Sequence, residues 1–362
     1  MPFVADFATP FRYRLNPHLA EITPLARQWM RDFDLIDDAH VAEYEMARIP
    51  ELMSAAYPKA DIADLLLSCH AMGVMFTLED EDCGSNPRHT VEGITARCNA
   101  MISLMHNEKP DTDDPVVHAF NDVWHRLRDG MSDAWAARHR DNWTAFLTNH
   151  YAWEPVVVEN HGMPSLTDYL RDRADSSGMY VLYDWSERLS PDRIEIPQQA
   201  LDDPRLATLH RLCINTIIAI NDPHSYEREL RRNDPVPNLV KVLVQHENLT
   251  VDQAVEYART MLSDAIEEYV EVEFDYLSHW WHAGLPPRQM TAVEQRLRDL
   301  RNWTSSNCRW HYITPRYDHV SLDPERDHPR GGQRQGGGAF AGQTAGFADG
   351  VGATPHEDEA DQ

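Results

Sequence analysis

Asn221, Ser225 and Glu229 stand four residues apart in the segment Asn221-Asp222-Pro223-His224-Ser225-Tyr226-Glu227-Arg228-Glu229. On a helix that spacing drifts only about 40° per step, so an amide oxygen, a hydroxyl and a carboxylate would share one stripe. Oxygen donors of this kind are ligands for a hard divalent cation such as magnesium. Arg228, seven residues after Asn221, returns to the same stripe beside Glu229, which places a group suited to gripping phosphate oxygens next to the metal set. A second acidic segment, Phe76-Thr77-Leu78-Glu79-Asp80-Glu81-Asp82, lies far upstream. Together the two segments form a candidate cage for divalent ions.

Each segment also has a plainer local reading. Asp61 to Thr77 reads as an apolar helix, and Glu79-Asp80-Glu81-Asp82 arrives at its C-terminal end. Negative charge there opposes the helix macrodipole by about 0.3–1 kcal/mol per residue, which suggests a compensating cation, yet a solvated acidic turn accounts for the run equally simply. In the later segment Asp222 can serve as an N-cap with Pro223 at the first helical position, leaving Asn221 outside the helix. Proline inside a helix costs about 3 kcal/mol, so local rules favour the helix start.

The elements that must carry these residues read as helices. From about residue 20 to 315 the chain is rich in Ala, Leu, Arg, Glu and Met, with apolar positions recurring at three and four residues. Start signals fall near Pro24, Val41 and Asp61, and after Asn86-Pro87, Asp114-Pro115, Pro164-Ser165 and Asp203-Pro204. Thr250 to His282 forms a long candidate helix, separated from a last one by Pro286-Pro287. After about Pro324 the chain turns Gly-rich and then acidic, a composition that builds no core. A formal charge of -26, from 33 Lys plus Arg against 59 Asp plus Glu, argues against nucleic acid and anionic membrane as partners. The five cysteines are scattered without a Cys-x-x-Cys pair, which fits a reducing, cytoplasmic setting. No basic leader is visible, and no apolar stretch reads as long enough to span a bilayer.

In motif order the sequence resembles class I terpene synthases of the bacterial type, over nearly everything from Phe11 to Tyr317. Phe76-x-x-Glu79-Asp80 looks like the family's aspartate-rich motif, and Asn221-Asp222-x-x-Ser225-x-x-Arg228-Glu229 matches its second metal motif. Tyr169-Leu170-x-x-Arg173-x-x-Ser176-Ser177-Gly178 resembles the segment that carries a diphosphate-sensing arginine. Pro237-Asn238-Leu239-Val240 and Trp303-x-x-x-Asn307-x-x-Trp310-x-x-x-Thr314-x-Arg316-Tyr317 look like the end of the same domain. Two positions depart from the pattern: Glu79 stands where aspartate is usual, with Cys83 and Gly84 at later acidic positions, and Pro223 interrupts the second motif.

The resemblance implies an all-α, single-domain helical bundle around an apolar cavity over residues 1–320, followed by a disordered tail over 321–362. It implies three Mg2+ ions held by Glu79, Asp80, Asn221, Ser225 and Glu229, and a prenyl diphosphate gripped by Arg173, Arg228, Arg316 and Tyr317. Arg173, Ser177, Phe76 and Trp310 take the catalytic positions, with Phe76 and Trp310 offering aromatic faces to a migrating cation. Trp303 and Trp310 share a helical face, which reads as ordinary core or as a pocket wall. The activity implied is ionisation of a prenyl diphosphate, farnesyl diphosphate first, to a carbocation that cyclises to a terpene. Monoterpene or diterpene cyclisation, chain elongation by a related prenyltransferase, and a catalytically impaired prenyl-diphosphate-binding protein are the rival readings, and a homodimer is left open.

Overall fold

Helices built on the 3.6-residue period account for the regular structure throughout the described part of the chain. A computed structural model describes residues 7–81, 90–148, 162–232 and 236–317, without the side chains of Asp80, Glu81, Val91 and Arg232. These residues all fall in a unit spanning Met1–Pro329, and the tail expected over 321–362 lies outside them. In chain order the helices are α1 Leu19–Asp32, α2 Val41–Met46, α3 Ile49–Ala56, α4 Ile62–Glu81, α5 Val91–Met105, α6 Pro115–Arg128, α7 Asp133–Phe146, α8 Leu166–Ser176, α9 Met179–Arg188, α10 Gln198–Leu201, α11 Pro204–Arg232, α12 Leu239–His246, α13 Val251–His282 and α14 Pro287–Ile313. A 3-10 turn, Pro315–Tyr317, follows. No strand occurs among the described residues.

Several boundaries follow the local signals. Asp114 caps α6 through Val116 N–H with Pro115 in the first turn, Ser165 caps α8 through Asp168 N–H, and Thr250 and Gln253 form a reciprocal capping box on α13. Others do not. α1 begins at Leu19, so Pro24 lies inside it rather than at its start; the added turn buries Ile22 in line with Ala26 and Met30. Pro223 likewise lies inside α11, which corrects the expected helix start at Asp222. α11 packs along α13, α14, α12 and α8, and that long buried face outweighs one missing backbone hydrogen bond.

α4 is the central apolar element, packed on α1, α3 and α6. Contrary to the expectation that no stretch would suffice, Ile62–Glu79 is long and apolar enough to cross a membrane by length and composition alone. The same window is 67% buried inside the bundle, so its apolar surface is used by the core. Gly178 separates α8 from α9 at φ 69°, where a Cβ would come within 2.5 Å of Met75 on α4 and 3.2 Å of Phe146 on α7. A larger residue is excluded there by both conformation and space. Cys69, Cys98, Cys213 and Cys308 are buried with free thiols, and Cys83 lies outside the described residues.

Candidate active site

α11 carries the later motif, and because proline does not break it, Asn221, Ser225 and Glu229 remain on one helix. The drift of the stripe gives them different neighbours. Ser225 Oγ donates to Glu229 Oε1 at 2.6 Å, and both face the start of α12, where Asn238 Nδ2 lies 3.2 Å from each. Lys241 Nζ stands 3.0 Å from Glu229 Oε2. Burial pushes the Glu229 carboxyl above its ordinary range, opposed by Lys241 and by the Ser225 hydroxyl. A cation at this carboxylate favours its ionised form, which is the charge state a metal ligand needs.

Asn221 faces the other way, towards α14 and α8. Its Nδ2 lies 3.2 Å from His311 Nε2 and 3.3 Å from the Tyr317 hydroxyl, while Arg173 Nη2 donates to its Oδ1 at 3.4 Å. The orientation follows from the histidine. His311 Nδ1 sits 2.8 Å from the Asn307 carbonyl, which only accepts, so Nδ1 carries the proton and a neutral ring presents Nε2 as an acceptor. Burial, with the nearby His224 and Arg316, holds the His311 pKa well below the ordinary histidine range. Asn221 therefore turns its amide nitrogen to His311 and its oxygen to Arg173.

Asp222 works as a fastener. Its carboxylate accepts hydrogen bonds from the Tyr169 hydroxyl on α8 and from Leu239 N–H at 2.8 Å, and Arg173 Nη2 is 3.7 Å away. It thereby holds α8 and the N-terminus of α12 against α11, a role incompatible with capping a new helix.

The upstream motif ends α4. Glu79 is half-exposed, and Arg316 Nη2 lies 3.6 Å from its Oε2. The Arg316 guanidinium also sits over the Phe76 ring, 4.6 Å from the centroid. One face of Phe76 is thus covered by a protein cation. Trp310 is 3% exposed, donates its indole N–H to Ala47 O at 2.8 Å, and meets Phe76 and Tyr317 edge-on at 5.8 and 5.9 Å. Its geometry is that of a core residue backing the site. Burial raises the Tyr317 phenol above its ordinary pKa, and the charges of Arg316 and Arg228 oppose that rise. The phenol stays a hydrogen-bond donor.

Most of the expected residues therefore converge: Arg173, Asn221, Arg316 and Tyr317 around one amide and its neighbours, Phe76 and Glu79 beside Arg316, and Ser225 with Glu229 further along α11. Ser177 does not join them. Its hydroxyl donates to Ala174 O at 2.9 Å and accepts from Met179 N–H, closing the turn between α8 and α9. Asp80 has its backbone in α4, but its side chain lies outside the described residues. Sequence reasoning missed His311, Tyr169, Asn238 and Lys241. The signals were present in part: Tyr169 precedes Arg173 by one helical turn, and Asn238 is the N-cap of α12.

The donor set fits a hard divalent cation. Amide, hydroxyl and carboxylate oxygens are the right chemistry, and an ammonium already stands against Glu229, so the carboxylate sits in a place that receives positive charge.

The chain matches the model of terpene synthase family 2, C-terminal metal binding, over residues 72–268. It is 27% identical to pristinol synthase of Streptomyces pristinaespiralis over 326 residues, covering 88% of this chain and 86% of that protein. It is 28% identical to a (-)-beta-caryophyllene synthase of Saccharothrix espanaensis, described as cyclising (2E,6E)-farnesyl diphosphate, over 87% of this chain and 89% of that one. Among solved structures, that of a-eudesmol synthase superimposes with a TM-score of 0.77 at 23% identity, covering 85% of this chain and 99% of the other.

Proposed function

The chain belongs to terpene synthase family 2, and we propose that it is a magnesium-dependent terpene cyclase acting on farnesyl diphosphate. The observation that carries this reading is the convergence of Arg173 and Tyr317 on Asn221, from α8 and from the turn after α14 onto α11. These three groups come from separate motifs and meet as two hydrogen-bond donors beside a metal-type oxygen. Farnesyl diphosphate is preferred because a relative covering most of the chain is named for cyclising it.

In this reading Asn221, Ser225 and Glu229 hold one part of a divalent cluster, with Glu79 and Asp80 holding the rest, and three ions in all. When bound, such ions supply positive charge to the diphosphate oxygens as the carbon–oxygen bond breaks. Arg173, Arg228 and Arg316 bind the same oxygens, and Tyr317 donates a hydrogen bond. The electron pair of the breaking bond leaves with diphosphate, and the allylic cation is attacked by a π bond of its own chain. Loss of a proton, or capture of water, ends the reaction. Phe76 and the buried Trp310 shape the apolar wall near the leaving group and offer no lone pair that would trap the cation. His311 orients Asn221, while Asp222 and Tyr169 fix the helices that carry the motif.

Diphosphate release from farnesyl diphosphate, followed against magnesium concentration, tests the assignment of residues. Arg173→Ala and Glu229→Gln are each expected to lower kcat by about 100-fold or more, the scale of lost transition-state donors. Unchanged turnover in both variants overturns the assignment.

A further inference from the structure

Away from these motifs a cleft of about 470 Å³ opens between the N-terminal segment, the turn after α3, the end of α9 and the first half of α14. Asp299, in its wall, lies twelve residues before His311 on α14, roughly 18 Å along the helix axis. Arg12, Arg14, Lys59, Arg298 and Arg301 line the cleft, with Asp299 the one carboxylate among its lining residues. That concentration of cations runs against a chain of net charge -26, so its local field is reversed relative to the molecule.

Two of the cations are engaged: Arg298 lies 3.5 Å from Glu294, and Arg301 pairs with Glu273. Arg12, Arg14 and Lys59 are exposed and make no ion pair among the described residues. Asp299, by contrast, is 4% exposed. Gln295 and Asn302 both donate to its Oδ1, at 2.8 and 3.4 Å, whereas its buried Oδ2 has no hydrogen-bond partner. Burial pushes this carboxyl up to about 7, so near neutral pH it holds a proton for part of the time and can donate it. A ligand that satisfies the cleft therefore carries several anionic oxygens for the cations and one more for Asp299. Phosphate oxygens meet that requirement, and guanidinium donors match their geometry.

We propose that this cleft is a binding site for a small phosphate-class anion, inorganic phosphate or diphosphate, held by Arg12, Arg14 and Lys59 against the free oxygen of Asp299. The site is separate from the metal motifs and does not depend on the reaction proposed above.

Titration calorimetry of the full chain with inorganic phosphate, and separately with inorganic diphosphate, tests it in the presence of chelator, so that metal-dependent binding is suppressed. Saturable one-to-one binding of either anion is expected, and which anion binds identifies the ligand. The double variant Arg12→Ala/Arg14→Ala should weaken binding at least tenfold, and adding Lys59→Ala should weaken it further; all three side chains are exposed, and melting temperatures verify the fold. Arg316→Ala, at the metal motifs, and Arg259→Ala, exposed on α13, should leave the affinity within twofold. Absence of saturable binding overturns the proposal. So does binding that survives the double variant, or that falls equally in Arg259→Ala, which would reduce it to general charge attraction.

Discussion

At the scale of single residues, the direction in which Asn221 points is decided by one imidazole. His311 spends its Nδ1 proton on Asn307 O and accepts from the Asn221 amide nitrogen, which leaves the Asn221 oxygen turned towards Arg173. His311→Leu removes that acceptor and allows the amide to turn over. Magnesium affinity, measured by calorimetry in the presence of inorganic diphosphate, should fall about 10- to 100-fold, the usual effect of removing a group that orients a ligand. Unaltered affinity would show that the amide is held by Arg173 and Tyr317 alone. Asp299 supports a second prediction, in pH. Its folded pKa is raised from the usual 3.8 to about 7, so between those values the folded chain keeps a proton that the unfolded chain has released. Its contribution to stability is then most favourable below the lower value and declines as pH rises through the window. Asn does not ionise, so the denaturation midpoint of Asp299→Asn relative to wild type should rise between about pH 5 and pH 8. Equal differences at both pH values would contradict the shift.

At the scale of helices, a buried ionic network joins α7, α9 and α14. Arg138 reaches Asp184 at 2.7 Å and Glu187 at 2.8 Å, Arg296 also pairs with Glu187, and Asn142 donates to Asp184 at 2.7 Å. Arg296 is 2% exposed and Glu187 is 4% exposed. Arg296→Met leaves Glu187 with one partner instead of two, and urea denaturation should show a loss of about 3 kcal/mol, as when a buried pair is broken from one side. A loss below about 1 kcal/mol would mean that Arg138 alone suffices. These long-range pairs were invisible in the sequence, because nothing local links Arg138 to Glu187 or either to Arg296. Helix starts were legible where a cap and the apolar face agreed, as at Asp114-Pro115, Ser165 and Thr250. They were misread at Pro24 and Pro223, where a local penalty of about 3 kcal/mol was outweighed by packing that only the tertiary fold supplies. In the candidate site, the metal stripe and Arg173 could be read from spacing. The partners that orient them could not, since His311 lies 90 residues from Asn221 in sequence, and Asp222 was mistaken for a cap.

At the scale of the whole molecule, helices far apart in sequence bring three separate motifs to one place while burying the most apolar helix, α4, at the centre. The negative charge of the chain discourages anions in general, so a prenyl diphosphate can be held only where Arg173, Arg228, Arg316 and bound cations reverse the local field. Chelation should therefore abolish turnover rather than merely slow it, and restored magnesium should recover it. Glu79→Asp probes the first departure from the family pattern: product analysis and kcat should both change if the longer side chain sets the position of its ion, and neither should change if Asp80 dominates. The most direct measurement is gas chromatography–mass spectrometry of extracts from purified protein incubated with farnesyl diphosphate and magnesium, with the chelated reaction beside it. The account predicts a cyclic sesquiterpene hydrocarbon or alcohol, formed in step with diphosphate release and absent under chelation. Absence of any terpene, or formation of a longer prenyl diphosphate when isopentenyl diphosphate is added, would contradict it.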